Sequence, residues 1–211
     1  MLLQKFHPGS RLGQQLTLAH GGTLFSRQGH WDGGSTLHYV AMALALLGKL
    51  SDPVDVPYHV SGNERVVWDH AWPHYLHGLT LSELESFVWE LNLGVQPVVR
   101  AGPAPAILRF TSRELAAGRP VIIGWRQRHP VKWRAALAVG MEGRLQGRTF
   151  EPHALLMLDP AGSEPRLAGF NARIDLHGNG RARYQSQAVR LAVTLEGVVS
   201  IRTPVSAGGY V

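Results

Sequence analysis

No cysteine occurs among the 211 residues, which excludes disulfides, thiolate metal sites and thiol catalysis by the chain as it stands. Long apolar runs are missing too. The longest strongly apolar stretch, Val40 to Leu47, falls far short of the roughly 20 residues a membrane-spanning helix requires. The N-terminal MLLQKFHP has no apolar segment followed by a small-residue cleavage site, so no secretory signal is read. A cytoplasmic location is therefore expected, with non-classical secretion left open. Repeats and low-complexity tracts are absent. Gly33-Gly34 lacks the glycine pattern and following lysine of a phosphate loop, and no cofactor is expected.

Hydrophobic residues make up 45% of the chain, enough for a sizeable core, and the length fits a single domain spanning 1–211, with 1–27 a possible irregular extension. The net charge is +6 with histidine neutral. Arginines crowd the second half, including Arg113, Arg119, Arg126, Arg128, Arg134, Arg144 and Arg148. Such a surface favours acidic partners. No RNA-binding aromatic signature or basic helix accompanies it, so the charge is read as a solvated basic surface rather than a nucleic-acid interface.

Apolar positions Leu37, Val40, Ala41, Leu44 and Ala45 predict a helix over 35–47, stopped by Gly48. Residues 51–77 carry several prolines and read as a surface excursion holding a short strand at 65–68. Thr80 and Glu83 have capping-box spacing for a helix to about Leu91. A strand is expected at 95–100 and a short helix from Ser112 to Gly118. Strand-length runs then follow at 121–125, 135–141, 154–158, 172–176, 181–187 and 191–202, with a hairpin turn at His177-Gly-Asn-Gly. Helices first and strands later imply an α+β layout, a helical layer packed on a C-terminal antiparallel sheet.

Several motifs in this order resemble a known family. The run from Gln28 to Gly48, QGHWDGGSTLHYVAMALALLG, is similar to the start of the bacteriocin-processing, double-glycine-leader peptidases, which are papain-like cysteine peptidases. In that family a glutamine precedes a cysteine that opens a helix, and the alignment puts Ser35 at the cysteine position. GLTLSEL at 78–84, LAAGRPVIIG at 115–124, AALAVG at 135–140 and LMLDP at 156–160 resemble later segments. The resemblance covers about Gln28 to Phe170 and implies a papain-like fold. It assigns Gln28 the oxyanion position and Asp159 the third catalytic position. Arg134 falls where the histidine belongs.

A papain-like site needs a thiolate at a helix N-terminus, an imidazole to share its proton, an orienting group and an oxyanion donor. Arg134 stays protonated and cannot act as a general base at neutral pH, and a serine hydroxyl needs that base more than a thiolate does. His153, at the start of the next strand, is the candidate replacement imidazole. Each assignment has an ordinary alternative: Ser35 as a helix N-cap, Gln28 as a surface residue, Asp159-Pro160 as a strand exit, and Arg134 or His153 as solvent-facing strand positions. His70, His74 and His77 beside Asp69 have ligand-like spacing, but Pro73 breaks the helical register, so no metal site is expected.

Three functional classes remain open. The first is an inactive papain-like pseudo-peptidase that binds a peptide or protein segment, preferably acidic, in its cleft through Arg134. The second is a peptidase or amidase of the same family whose nucleophilic cysteine has been exchanged for Ser35. The third is an interaction or effector protein using the fold for unrelated binding. Hydrolysis by the chain as it stands is not expected.

Overall fold

The computed structural model describes residues 1–29, 35–74, 79–127, 129–177 and 181–204. The chain begins with β1 (Leu2–Phe6), β2 (Ser10–Arg11) and β3 (Thr17–Leu18). Helices α1 (Ser35–Leu46), α2 (Gly62–Ala71) and α3 (Leu81–Glu90) follow, then β4 (Gln96–Arg100) and α4 (Ala104–Ala116). The remainder is strand: β5 (Val121–Gln127), β6 (Lys132–Gln146), β7 (Thr149–Leu158), β8 (Ala172–Leu176), β9 (Ala182–Ser186) and β10 (Arg190–Arg202).

Strands β6, β5, β10, β9, β8 and β7 pair in that order, and β7 pairs again with β6. All six contacts are antiparallel and the ring is closed. The expected α+β, papain-like layout of a helical layer on a sheet is therefore corrected. The molecule is mostly β, a six-stranded antiparallel barrel with extra strands and, among the described residues, four short α-helices. Two long strands make the extra pairings possible. β6 carries β5 along the first half of one edge and β1 along the second, while β10 carries β9 and then β4. Register shifts at Ala138/Gly140, Glu142/Gly143 and Leu195/Gly197 bend the strands, as closure of a small barrel requires.

Strand alternation divides the apolar residues into two cores. One face of the barrel wall points inward: Ile123, Trp125, Ala136, Ala138, Leu155, Met157, Ile174 and Tyr184 are all buried together. A six-stranded interior is narrow, and the alanines make room for the Trp125 and Tyr184 rings, which stack with centroids 5.1 Å apart. Ile107, Phe110 and Leu115 of α4 join the same cluster at the Val121 end of β5. The outward face, including Ala135, Leu137, Val139 and Leu158, packs against α1 and α3. Residues 36–46 of α1 are all buried, the behaviour of a helix apolar on every side. Each fully buried leucine, valine or methionine there contributes roughly 1.5–3 kcal/mol.

Several local expectations change. Residues 65–68 are helical: Gly62 and Ser61 open α2, and Val67 faces the core from a helix. α4 begins at Ala104, well before Ser112, because prolines at 103 and 105 are compatible with a helix's first turn. The N-terminal segment read as irregular contains β1, which is paired along its length with β6. Within the same segment Thr23 makes a single bridge to Thr17. α3 has the full capping box, Thr80 Oγ1 accepting from Glu83 N–H and Glu83 accepting from Thr80 N–H at 2.7 Å. The β8–β9 pairing closes the expected hairpin, although its turn at 178–180 lies outside the described residues.

Candidate functional site: the arginine-lined barrel mouth

The barrel end opposite α4 opens into a cleft of about 1160 Å³ bordered by Arg27, Arg134, Arg166, Asp159, Asn171 and Tyr184. Strand geometry brings Arg134 there. It stands opposite Trp125 in the β5–β6 register and shares a face with the inward alanines Ala136 and Ala138, but lies beyond them toward the open end. Asp159 follows the last residue of β7 and is buried at 3% exposure, with its side chain on the inward side beside Tyr184.

Asp159 is tightly held. Tyr184 donates its hydroxyl to Oδ2 at 2.6 Å, and the Ala161 N–H donates to Oδ1 at 2.9 Å. Its own N–H reaches Asn171 Oδ1 at 2.7 Å. Asn171 Nδ2 returns to the carbonyls of Asp159 and Ser163 at 2.8 and 2.9 Å. One amide side chain thus pins the loop that forms a wall of the cleft. Short Asp-Pro and Asn contacts with nearby backbone are how a chain leaves a strand without orphaning polar groups. Burial, the neighbouring Asp159 charge and the hydrogen bond to it push the Tyr184 hydroxyl well above the usual tyrosine range, so the proton stays on the donor.

The arginines are differently placed. Among the described residues the guanidinium groups of Arg27, Arg134 and Arg166 form neither an ion pair nor a hydrogen bond. Glu164 also borders the cleft, but three guanidinium groups face one engaged and one free carboxylate. Phe170, Val189 and Leu191 add apolar lining. Such an arrangement suits an elongated, anionic ligand with an apolar body.

The residues expected from sequence are thus partly assembled. Arg134 and Asp159 border the same cleft but do not pair. Gln28 enters through its backbone, its N–H donating to the Pro160 carbonyl at 2.9 Å, which fastens the 24–29 segment to the Asp159 loop. Ser35 is the first helical residue of α1; the preceding position, where a cap would stand, lies outside the described residues. No described hydrogen bond links Ser35 to Asp159 or Arg134. His153 does not substitute for the missing imidazole. It lies six positions before Asp159 on β7, roughly 20 Å away at strand rise, with Nε2 3.5 Å from Glu142. His70 bonds the Val66 carbonyl, Asp69 pairs with Arg65, and His77 lies outside the described residues.

Sequence reasoning missed Tyr184, Asn171, Arg27 and Arg166. It also missed a hydroxyl–imidazole pair, Ser26 Oγ to His38 Nδ1 at 2.9 Å. Both residues are buried, at 2% and 8% exposure, so this pair anchors the segment before α1 and offers no open nucleophile. No protein-family model matches the chain and no curated protein matches it, so nothing beyond the quoted motifs ties it to the double-glycine peptidases.

Proposed function

We propose that the chain is a non-catalytic binding module that accepts an extended peptide or protein segment at the barrel mouth and selects it by an acidic side chain or C-terminal carboxylate. The observation that carries this reading is the state of the two charged residues at the mouth. Asp159 is already satisfied by Tyr184 and Ala161, which leaves the Arg134 guanidinium free for a ligand. Arg27 and Arg166 extend the positive lining, and guanidinium–carboxylate bonds in a partly enclosed cleft are stronger than neutral ones.

A hydrolase reading has less support. Ser35 has no described imidazole within hydrogen-bond reach, and the carboxylate that would orient such a base holds a tyrosine hydroxyl instead. Acid–base chemistry by a hydroxyl nucleophile requires that partner.

The test compares wild type with Arg134→Ala, using extended peptides that differ only in one acidic or neutral position, at low and high salt. Wild type is expected to favour the acidic peptides, with the preference shrinking in Arg134→Ala and with added salt. Equal affinities in both proteins overturn charge selection. In parallel, peptide turnover that disappears in Ser35→Ala would establish a hydrolase and sink the binding-module reading.

A further inference from the structure

A second ligand-competent surface lies at the other end of the molecule, on the free edge of β4. We propose that this edge docks an extended acidic segment of a partner protein, which adds to β4 as a strand and sets its carboxylates on Arg100, Arg109 and Arg113.

The backbone directions follow from one hydrogen bond. Ile201 of β10 donates its N–H to the Pro120 carbonyl at 3.0 Å, on the β5 side. Backbone groups alternate along a strand, so Ser200 and Arg202 turn theirs toward β4. Their partners Val98 and Gln96 are therefore bonded to β10, as is Arg100 opposite Val198. Pro97 and Val99 point the other way. Among the described residues β4 has no strand neighbour except β10. No described hydrogen bond reaches the Val99 N–H, the Val99 carbonyl or the Pro97 carbonyl. An added strand gains three backbone bonds there: two from a residue opposite Val99 and one from an N–H donated to Pro97. An edge so placed is a template for another chain, and Pro97 confines the pairing to a short register because it offers no donor.

The side chains beside the edge specify what binds. A hollow of about 510 Å³ runs between β4 and α4, with Val98 and Phe110 supplying apolar surface and Arg100, Arg109 and Arg113 supplying charge. No acidic residue borders it. Arg113 lies over the Phe110 ring at 5.6 Å. Its nearest carboxylate, Glu114 at 3.7 Å, is fully buried and already holds Arg202 and Arg119. Arg100 and Arg109 make no ion pair among the described residues. Alternation places every second side chain of an added strand over this hollow, so acidic residues at alternate positions complement it. Self-pairing of two β4 edges is disfavoured, because it brings two sets of guanidinium groups together.

The probe is a synthetic peptide of alternating glutamate and valine, titrated against the full chain by calorimetry with amide hydrogen exchange followed at Val99. Binding is expected with increased protection of the Val99 N–H, and with a loss of roughly tenfold or more in Arg100→Glu/Arg109→Glu. The same loss is expected when alternate peptide amides are N-methylated, since that blocks strand pairing without changing charge. Because an acidic peptide also suits the barrel mouth, the β4 site is read at Val99, and Arg134→Ala is expected to leave the protection of the Val99 N–H unchanged. No protection at Val99, protection indifferent to N-methylation of the peptide, or protection lost in Arg134→Ala each overturns the proposal. So does concentration-dependent self-association that protects Val99 without peptide.

Discussion

Tyr184 donates its hydroxyl to Asp159 Oδ2 across 2.6 Å, joining β9 to the residue that follows β7 and occupying a carboxylate oxygen in the cleft that Arg134 also borders. The relationship decides the charge of the cleft. Tyr184→Phe removes that donor and leaves a buried carboxylate oxygen bare, at a cost of about 1–3 kcal/mol. Arg134 is then expected to turn onto Oδ2, so the preference for acidic peptides weakens along with stability. Urea unfolding and peptide titration of the same variant measure the two effects; a stability loss with undiminished acidic preference contradicts the coupling.

Glu114 governs the opposite end. It is fully buried and accepts from Ser200 Oγ at 2.9 Å, from Arg202 Nε at 2.8 Å and from Arg119 at 3.3 Å. Burial alone pushes its carboxyl up, but the bonds from Arg202, Ser200 and Arg119 outweigh it and hold the group below the usual carboxylate range. A depressed folded-state pKa adds stability that is present above the unfolded value of 4.5 and is lost as pH falls through the lower folded value. Glu114→Gln is expected to lower stability at pH 7 by about 2–3 kcal/mol. The difference from wild type should narrow in acid below about pH 4. Denaturant midpoints measured from pH 7 down to pH 3 check the sign; a gap that widens in acid contradicts it.

His153 is expected to be dispensable for ligand binding. Its contact with Glu142 is half-exposed on the outer wall, and Glu142 retains Arg173 at 2.9 Å and Gln4 at 2.9 Å without it. His153→Ala should change stability by less than about 1 kcal/mol and leave peptide affinity at the mouth unaltered. A variant that loses binding while keeping its unfolding midpoint places His153 in the site after all.

Gly143 tests the barrel seam. A Cβ built there lies 2.5 Å from the Glu151 carbonyl and 2.7 Å from the Phe150 ring, directly beside the β6–β7 register shift. Backbone cannot yield as a flexible side chain does, so Gly143→Ala is expected to cost about 1–3 kcal/mol. Gly147→Ala, on the adjacent hairpin, meets no neighbouring atom and carries only its positive φ of 60°, so it should cost less. Thermal unfolding of the pair separates overpacking from backbone strain.

Much of the local structure was legible because it is encoded locally. The Thr80/Glu83 spacing located the start of α3, and the apolar periodicity of 35–47 located α1. Closure was not legible. Runs such as Ala135–Met141 announce a strand buried on both faces, and an open sheet under helices satisfies that pattern as well as a barrel does. The long strands hid it further, since nothing in residues 132–146 states that one edge is shared between two partners. The same fact explains the site. Asp159 and Arg134 stood out beside recognisable strand ends, whereas Tyr184 meets Asp159 only because β9 and β8 complete the ring. Arg27 and Arg166 sit in segments without periodicity, where sequence carries no spatial signal.

Among the described residues β10 is the last strand, yet β4, β5 and β9 all take it as a neighbour. Val99 pairs with Val199, about one hundred residues later, and pairings of such separation form slowly because the intervening loop must be ordered first. Until β10 is made, the β4, β5 and β9 edges lack the partner they have in the native structure. Strands β5 to β9 can pair with one another without β10, but the barrel they form stays open. The ring closes only with residues 190–202, and a chain short of them leaves the β5 and β9 edges open to pairing with other chains.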